Sequence, residues 1–303
     1  MRRSIPVILA LCALMLSAPG CGTKKPAATS GDVTGVEAHK PPVVPSGMPA
    51  ADAHFDQRHT QEGTEAAIAA YEAALAEETL PDGADRWAIL VRLSVLYYGK
   101  AYHYDRDLPK KERMTTYWRG RECGWEALML RNDAWREALE GGAKIQDAVV
   151  HLTADDAPAA FWAASNWSRW GELKGILRVA LDIPKVKAAN QRILELAEDY
   201  YAGGVHRFFG AYWIAIPPFA GKDVDKGRLH FERAVELFPD HWETKVMFAD
   251  YYARELQDKE LFVSLLQSVI DAELDPNDTY YFEHLVAQDD AARLIAEADA
   301  IFD

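Results

Sequence analysis

Cysteine is scarce in this chain of 303 residues, which contains only Cys12, Cys21 and Cys123. Cys12 lies within an apolar N-terminal run and Cys21 lies just behind it, so a single cysteine remains in the body of the chain. A disulfide within that body is therefore excluded. We predict that Cys123 is a small core residue and not a reactive thiol, because its spacing identifies no basic or histidine partner.

The motifs of several catalytic classes are also missing. The chain has no GxxxxGK[ST] phosphate loop, no HExxH, no paired CxxC and no GxSxG elbow, so nucleotide-binding, zinc-protease and hydrolase functions lose support. We expect no cofactor and no metal. His54, Asp56 and His59 carry metal-binding groups, but they lie at the edge of a linker, where a solvated segment is the simpler interpretation.

Positive charge is in short supply. The chain has 33 Lys and Arg against 47 Asp and Glu, which gives a formal net charge of −14. This surplus of negative charge repels phosphate groups, so we predict no nucleic-acid partner and disfavour an anionic lipid surface. A neutral or basic partner is favoured.

The apolar run near the N-terminus is too short to span a bilayer. It covers about twelve residues, from Ile5 to Leu16, whereas a membrane-spanning helix needs roughly 20. Because two arginines precede it, we predict an export signal over residues 1–20. The segment Ala18-Pro19-Gly20-Cys21 resembles a bacterial lipoprotein box, in which Cys21 is lipidated, although Ala18 stands where leucine is usual. An ordinary signal peptide with an incidental cysteine is the alternative.

Residues 21–52 are predicted to comprise the lipidated Cys21 and a flexible linker. They are rich in Gly, Pro, Ala, Ser and Thr and show no helical periodicity. Such a linker reaches roughly 30 Å, enough to hold a folded body just off a membrane surface. Gly22 follows the cysteine in place of aspartate, which by similarity to lipoprotein sorting rules favours the outer membrane of a Gram-negative cell.

Residues 53–303 are predicted to form an all-α domain, because helical stripes recur along them and no convincing alternating strand pattern appears. The clearest unit spans residues 200–238, where two amphipathic helices flank a Pro- and Gly-containing turn. The small-aromatic-small spacing of a tetratricopeptide unit occurs here and again about 160 residues earlier, at Gly227, Phe231 and Ala234 and at Ala67, Tyr71 and Ala74. We therefore predict a tetratricopeptide-like array of helical hairpins, an α-solenoid.

Two helix starts are predicted from residues that are common at the first turn of a helix. Asp85 is predicted to cap a helix that is apolar nearly all round, which indicates burial on both sides. Asp182 and Pro184 are predicted to open a later helix.

The sharpest local feature is a helical face that carries three tryptophans and one asparagine: Trp162, Asn166, Trp167 and Trp170. It could be a core of large aromatics or the wall of a small-molecule site, in which Asn166 and the indole N–H groups orient a ligand. His206 and Tyr212 are further candidates for a ligand or partner surface. His206 also lies near His230 and His241, which suits surface or capping histidines equally well.

A sugar-binding interpretation of the aromatic face gives an alternative from a different class, a helical-toroid glycosidase. Such an enzyme needs two carboxylates about 5 to 9.5 Å apart. Glu172, Glu198 and Asp199 lie nearby in sequence, but no spacing singles them out.

Three stretches carry a family resemblance: FWAASNWSRW, AEDYYAGGVHRFFGAYWIAIPPFAGKDVDKGRLHFERAVELF and FADYYARELQDKELFVSLLQSVI. They resemble the T component (TatT) family of TRAP transporters, and RGRECGWEAL is similar to the family's Gly-x-x-Cys-x-x-x-Ala pattern. The resemblance covers about residues 60 to 300 and is strongest over residues 159–270. Ala220-Gly221 replaces a doubled glycine, a departure confined to one turn.

The resemblance implies a non-catalytic, periplasm-facing lipoprotein of tetratricopeptide-like helices. It implies partnership with a periplasmic solute-binding protein and a TRAP permease, with a small organic ligand delivered to the permease, and attachment to the membrane through the lipid anchor. It is compatible with a homo-oligomer, which no residue pattern demonstrates. The runner-up among binding proteins is a tetratricopeptide scaffold for envelope assembly.

Overall fold

A computed structural model describes residues 44–302, which are almost entirely helical. Within that range there are no strands, and the all-α prediction is confirmed. The predicted signal peptide, Cys21 and most of the predicted linker lie outside the described residues. Fourteen α-helices follow one another: α1 (Pro49–Asp56), α2 (Gln61–Ala76), α3 (Arg86–Gly99), α4 (Lys110–Arg131), α5 (Asp133–Glu140), α6 (Ile145–Ala148), α7 (Ala157–Lys174), α8 (Ile176–Leu196), α9 (Tyr200–Ala215), α10 (Val224–Leu237), α11 (Trp242–Met247), α12 (Lys259–Ile270), α13 (Tyr281–Ala296) and α14 (Ala298–Phe302).

The helix starts show why these segments are helical. The Asp85 carboxylate accepts hydrogen bonds from the backbone N–H groups of Trp87 and Ala88, as the sequence predicts for the start of α3. Asp223 and Asp258 cap α10 and α12 in the same way. Each side chain satisfies a backbone donor that the first turn of a helix leaves unpaired.

The predicted hairpin over residues 200–238 is confirmed as α9 and α10. The ring of Phe231 is fully buried and lies against Gly210 of α9, where an added Cβ would stand 2.7 Å from the ring. A Cβ on Gly227 would meet Ile214 at 2.5 Å, so that glycine also sets how closely the two helices approach. The small-aromatic-small spacing therefore describes a real close contact between helices.

The folded body begins before residue 53, because α1 crosses the predicted end of the linker. A buried polar network holds this segment. The Asp52 carboxylate accepts a hydrogen bond from the Tyr71 hydroxyl at 2.6 Å and lies 3.4 Å from the Arg92 guanidinium, and Arg92 also donates to the Val44 carbonyl at 2.7 Å. These partners come from α2 and α3, so the composition of the segment alone could not reveal them.

The predicted helix start at Asp182 and Pro184 is not where α8 begins. The helix starts at Ile176, and Pro184 lies inside it. Its missing N–H would have bonded to Ala180, which lies on the exposed side of the helix, where water can satisfy the free carbonyl. Asp182 is buried instead of capping, and it accepts hydrogen bonds from the Trp167 indole at 3.0 Å and from Lys185 at 2.9 Å.

Helix α13 brings the end of the chain back to its beginning. Glu283 lies 3.4 Å from Arg58, in the loop after α1, and Asp290 accepts a hydrogen bond from Tyr102 at 2.8 Å. Arg106 pairs with Asp289 at 2.8 Å. Helix α13 thus contacts the segments that follow α1 and α3, and side chains from both halves of the chain meet there.

Candidate functional site

Polar and aromatic side chains from six segments of the chain converge where the two halves meet. We call this set the central cluster; it consists of Tyr98, Tyr102, Arg169, Arg207, Glu243 and Tyr251. Tyr98 belongs to α3, Arg169 to α7, Arg207 to α9 and Glu243 to α11, while Tyr102 and Tyr251 come from two π-helical segments. The Arg169 guanidinium contributes to lowering the pKa of Glu243 and opposes the burial that raises the pKa of Tyr251, which indicates that the three side chains lie near one another.

Arg169 is the cation on the α7 side of the cluster. Its Nε lies 3.5 Å from the Tyr98 hydroxyl, and its guanidinium carbon lies 5.1 Å from the centroid of the Tyr102 ring. The Nη1 atom pairs with Glu172 at 3.1 Å, but the Glu172 side chain is 53% exposed. The guanidinium therefore lies beside two phenol groups, with a solvent-exposed carboxylate as its ionic partner.

Glu243 is the anion on the opposite side. Its Oε2 atom lies 3.1 Å from Nε of Arg207, which also donates hydrogen bonds to the carbonyls of Ala202 and Tyr201 at 2.6 and 3.0 Å. Burial opposes the charge of Glu243, but the Arg207 guanidinium prevails and lowers the pKa of the carboxyl to about 2. This pair is ionised at neutral pH and its arginine is fully engaged.

The tyrosines of the cluster are neutral at physiological pH. Burial raises the pKa of Tyr98 and, together with Asp290, that of Tyr102, and it raises the pKa of Tyr251 to about 12. All three nevertheless keep part of their surface accessible, and 23% of the Arg169 side chain is exposed. From this combination of dense surroundings and partial accessibility we infer that these groups line a recess, where phenol donors and one guanidinium would face a small molecule.

Three departures from regular α geometry lie at the cluster. Lys100–Tyr104 and Phe248–Ala253 are π-helical, and they carry Tyr102 and Tyr251. At the start of α9, Tyr201 and Ala202 both have φ of 51°, a left-handed conformation that side chains rarely adopt. Strained backbone of this kind persists only when its surroundings hold it, and π-helical turns are frequent at functional sites.

The tryptophan face predicted from the sequence lies mostly inside the protein. Asn166 is fully buried between α3 and α4, and its amide donates to the carbonyls of Ser94 at 3.0 Å and Trp162 at 2.9 Å. Its Oδ1 atom faces Gly120, where a Cβ would stand at only 2.4 Å. Asn166 therefore joins three helices and has no surface that a ligand could reach.

Other tryptophan rings at this face pack against cationic side chains of the protein itself. The Arg121 guanidinium lies within 5 Å of three indole rings, those of Trp118 at 4.8 Å, Trp125 at 4.7 Å and Trp167 at 4.6 Å. Trp170 is half-buried and packs against Trp118 and Arg178. Trp162 alone approaches the central cluster, with its ring 5.3 Å from that of Tyr98.

We therefore expect Asn166→Leu to damage stability and leave ligand handling intact. The leucine cannot replace the two amide hydrogen bonds and must crowd Gly120, so the free energy of unfolding should fall by about 1 to 3 kcal/mol. Denaturant unfolding, read beside calorimetric binding of small carboxylates, checks both parts. A stable variant that has lost binding would place the ligand against Asn166 after all.

The two other predicted lining residues lie elsewhere. His206 is buried between α9 and α10, where its ring nitrogens contact His230 at 2.9 Å and Glu198 at 3.0 Å. Tyr212 is half-exposed near the end of α9, with its ring stacked on Phe208 and 5.1 Å from Lys187. The structure thus does not bring the predicted lining residues to one place.

Sequence reasoning missed the central cluster because its members are spread over 150 residues. One signal was present: the tyrosine-rich runs YYGKAYHY and FADYYA correspond to the two π-helical segments. Within each run the helix changes from α to π geometry. Their proximity to Arg169 depends on the closure of the fold, which no local pattern encodes.

A metal site is not among the features of this part of the chain. Within residues 44–302, no group of three or more His, Cys, Asp or Glu side chains could hold a metal ion. His59 packs its ring against Tyr281 of α13, and His54 is exposed.

Comparison with known protein families identifies a relationship for most of the described chain. The family model described as TRAP transporter T-component matches residues 97–302, more than half of the chain. No curated protein shows significant similarity to the chain. The matched range includes every member of the central cluster and all of α4 to α14.

Proposed function

The chain belongs to the TRAP transporter T-component family, and we propose that it binds a small organic carboxylate in the central recess while acting beside a solute-binding protein. The observation that carries this proposal is Arg169. It is a partly accessible guanidinium, flanked by neutral phenols, and its ionic partner among residues 44–302 is the exposed Glu172.

The chemistry of Arg169 favours a carboxylate as its ligand. A guanidinium presents a planar fork of donors that matches a carboxylate in two parallel hydrogen bonds, and such charge-assisted bonds strengthen in a recess of low dielectric constant. An incoming carboxylate would replace Glu172, whose own side chain can return to water. The aromatic walls formed by Tyr98, Tyr102 and Tyr251 suit a small apolar body attached to that carboxylate.

A glycosidase is less well supported. Glu172 is paired with Arg169, and Glu198 contacts both Arg233 at 2.7 Å and His206. The Arg233 hydrogen bond lowers the pKa of Glu198, which is opposite to the raised pKa that a general acid needs. The non-catalytic function therefore agrees better with these side chains, and family membership in a transport system weighs against an envelope scaffold.

The proposal also includes the place where the protein works. A TRAP transporter component has a periplasm-associated role, and no helix within residues 44–302 is long and apolar enough to cross a membrane. We propose attachment through lipid on Cys21, with residues 21–43 as a tether and the outer membrane as the favoured site. The permease is the further partner of the solute-binding protein in this arrangement.

Arg169→Gln should weaken carboxylate binding strongly. Loss of the charged donors removes hydrogen bonds of about 1.5 to 3 kcal/mol, so the Kd should rise by about 10- to 150-fold. Calorimetric titration with acetate, succinate, benzoate and octanoate, with and without the solute-binding protein, measures this change. Benzamide and succinamide serve as ligands of similar shape without the charge.

Two further variants make the result specific. Arg169→Lys keeps the charge but loses the planar fork and should bind with intermediate affinity. Arg119 lies on α4 with its side chain 60% exposed, so Arg119→Gln should leave the Kd unchanged. Equal affinity of Arg169→Gln and the parent for every acid, or equal binding of acids and amides, would contradict the proposed site.

A further inference from the structure

The outer face of the first turns of α8 exposes an unusual concentration of aliphatic surface. Ile176 is 45% exposed, Leu177 is 77% exposed and Leu181 is 67% exposed. Ala180 and Pro184 lie on the same exposed face, because these five positions fall within one side of the helical repeat. We call these five residues the α8 patch.

Cationic side chains surround the α8 patch. Between residues 174 and 187 there are four, Lys174, Arg178, Lys185 and Lys187, in a chain whose acidic residues outnumber its basic ones by 47 to 33. The one acidic residue in this range, Asp182, is buried on the inner side of α8. The local surface is therefore positive although the protein as a whole is negative.

Contacts with the body of the protein hold three of these cations, Arg178, Lys185 and Lys187, near the patch. Arg178 and Lys185 both pair with Asp182, and they lie over the rings of Trp170 and Trp167 at 5.0 and 5.4 Å. Lys187 lies 4.9 Å from the ring of Trp213. The aliphatic side chains in the middle of the patch have no comparable partner among the described residues. They are therefore free to contact a partner surface.

We propose that the α8 patch rests on an anionic phospholipid surface, with its aliphatic side chains among the acyl chains and its lysines and arginines at the headgroups. An aliphatic helix face bordered by Lys and Arg is the pattern of a segment that lies in a membrane interface. The net charge of −14 disfavours an anionic surface for the protein as a whole, but attraction acts over about 8 to 10 Å and so depends on local charge.

A second copy of this chain fits the patch less well. If two α8 patches faced each other about a twofold axis, their cationic rims would meet and repel. A contact with a different surface needs another apolar patch, yet the other large exposed apolar residues within residues 44–302 occur singly along the sequence and form no such run on one helix: Leu108, Leu130, Val150, Phe219, Leu229 and Leu256. A protein partner is also less favoured, because the centre of such interfaces is enriched in Trp and Tyr, whereas this centre is aliphatic.

The test uses the full chain with an environment-sensitive fluorophore attached at Leu177→Cys in a background in which Cys12, Cys21 and Cys123 are all replaced by alanine. The protein is added to vesicles that contain brominated phospholipid and about 30% phosphatidylglycerol, and to vesicles of brominated phosphatidylcholine alone. Leu229 is 55% exposed on α10, so a probe at Leu229→Cys is the matched control. We expect emission at position 177 to fall by about half in the anionic vesicles and to change by less than about a tenth at position 229.

A charge variant separates the lipid surface from other occupants. Lys174→Glu combined with Lys187→Glu should reduce the quenching at position 177 toward the level of the control, because both charges then repel the headgroups. A probe at position 177 that is shielded from water but not quenched by brominated lipid would overturn the proposal, because a second copy or residues 1–43 would then cover the patch. Equal quenching in both vesicle types would overturn the proposal that the patch binds an anionic surface.

Discussion

Replacing Phe231 with alanine should lower the free energy of unfolding by about 3 to 5 kcal/mol, the expected cost of removing a fully buried phenyl ring. The ring is 0% exposed and stacks on Phe248 with centroids 5.2 Å apart. It also lies against Gly210, which has no side chain that could move into the space. The surroundings therefore cannot collapse onto the gap, and most of the cavity should persist.

Denaturant unfolding of Phe231→Ala beside Leu229→Ala measures this effect. Leu229 belongs to the same helix, but 55% of it is exposed, so its truncation should change stability by less than about 0.5 kcal/mol. A loss below about 1 kcal/mol for Phe231→Ala would show that the ring is not at the centre of the α9–α10 contact. The pair of variants separates a core effect from a loss of helix propensity, because both create alanine in α10.

The α9–α10 hairpin was predictable because its determinants are local. Gly227, Phe231 and Ala234 lie within eight residues of one another, and their spacing alone places them on one face of a helix. The cap at Asp85 was predictable for the same reason, since it acts on the N–H groups of the next turn. Local physics dictates such features before any tertiary contact forms.

The central cluster has the opposite character. Tyr98 and Glu243 are separated by about half of the chain, and long-range contacts such as those of Glu283 with Arg58 and of Asp290 with Tyr102 bring the two halves together. The sequence indicated helices rich in aromatic residues. It did not indicate which aromatic side chains would pack around a charged group. The tryptophan face drew attention because its spacing is regular, yet regular spacing marks the packed side of α7.

The start of α8 illustrates a different limit. Asp and Pro normally open a helix, and here they lie within one, because the buried Asp182 gains three polar partners and Pro184 gives up a hydrogen bond only on the exposed side. Tertiary contacts outweigh the local preference. The same extension of α8 toward its N-terminus creates the α8 patch, so the feature that sequence reasoning missed is the one that carries the proposed membrane contact.

Acidification should destabilise the protein between about pH 6.5 and pH 4, and His241 should be a main cause. The ring is 2% exposed and packs against Tyr280 at 4.8 Å and close to His284 and Tyr201. Burial, the nearby Arg207 and His284 lower the pKa of His241 to about 4, and they outweigh Glu243, which raises it. The ring is therefore neutral in the folded protein at pH 7.

The sign of the effect follows from proton binding. In the unfolded chain His241 takes up a proton near pH 6.5, whereas in the folded protein it does so only near pH 4. Stability from the neutral ring is thus fully present above pH 6.5 and is lost as the pH falls to 4, at about 1.4 kcal/mol per pH unit, or roughly 3 kcal/mol in total. Glu243 contributes in a lower window, because its pKa is about 2 when folded.

Free energies of unfolding at pH 7.5, 6.5, 5.5 and 4.5, measured for the parent protein, His241→Gln and His54→Gln, test this assignment. His54 is exposed on α1, so its replacement should leave the slope against pH unchanged. Removing His241 should flatten that slope, although the buried His206 and His230 also resist protonation and should leave a residual dependence. If the free energy of unfolding changes with pH at the same slope in all three proteins, the buried imidazole of His241 does not cause the loss of stability in acid.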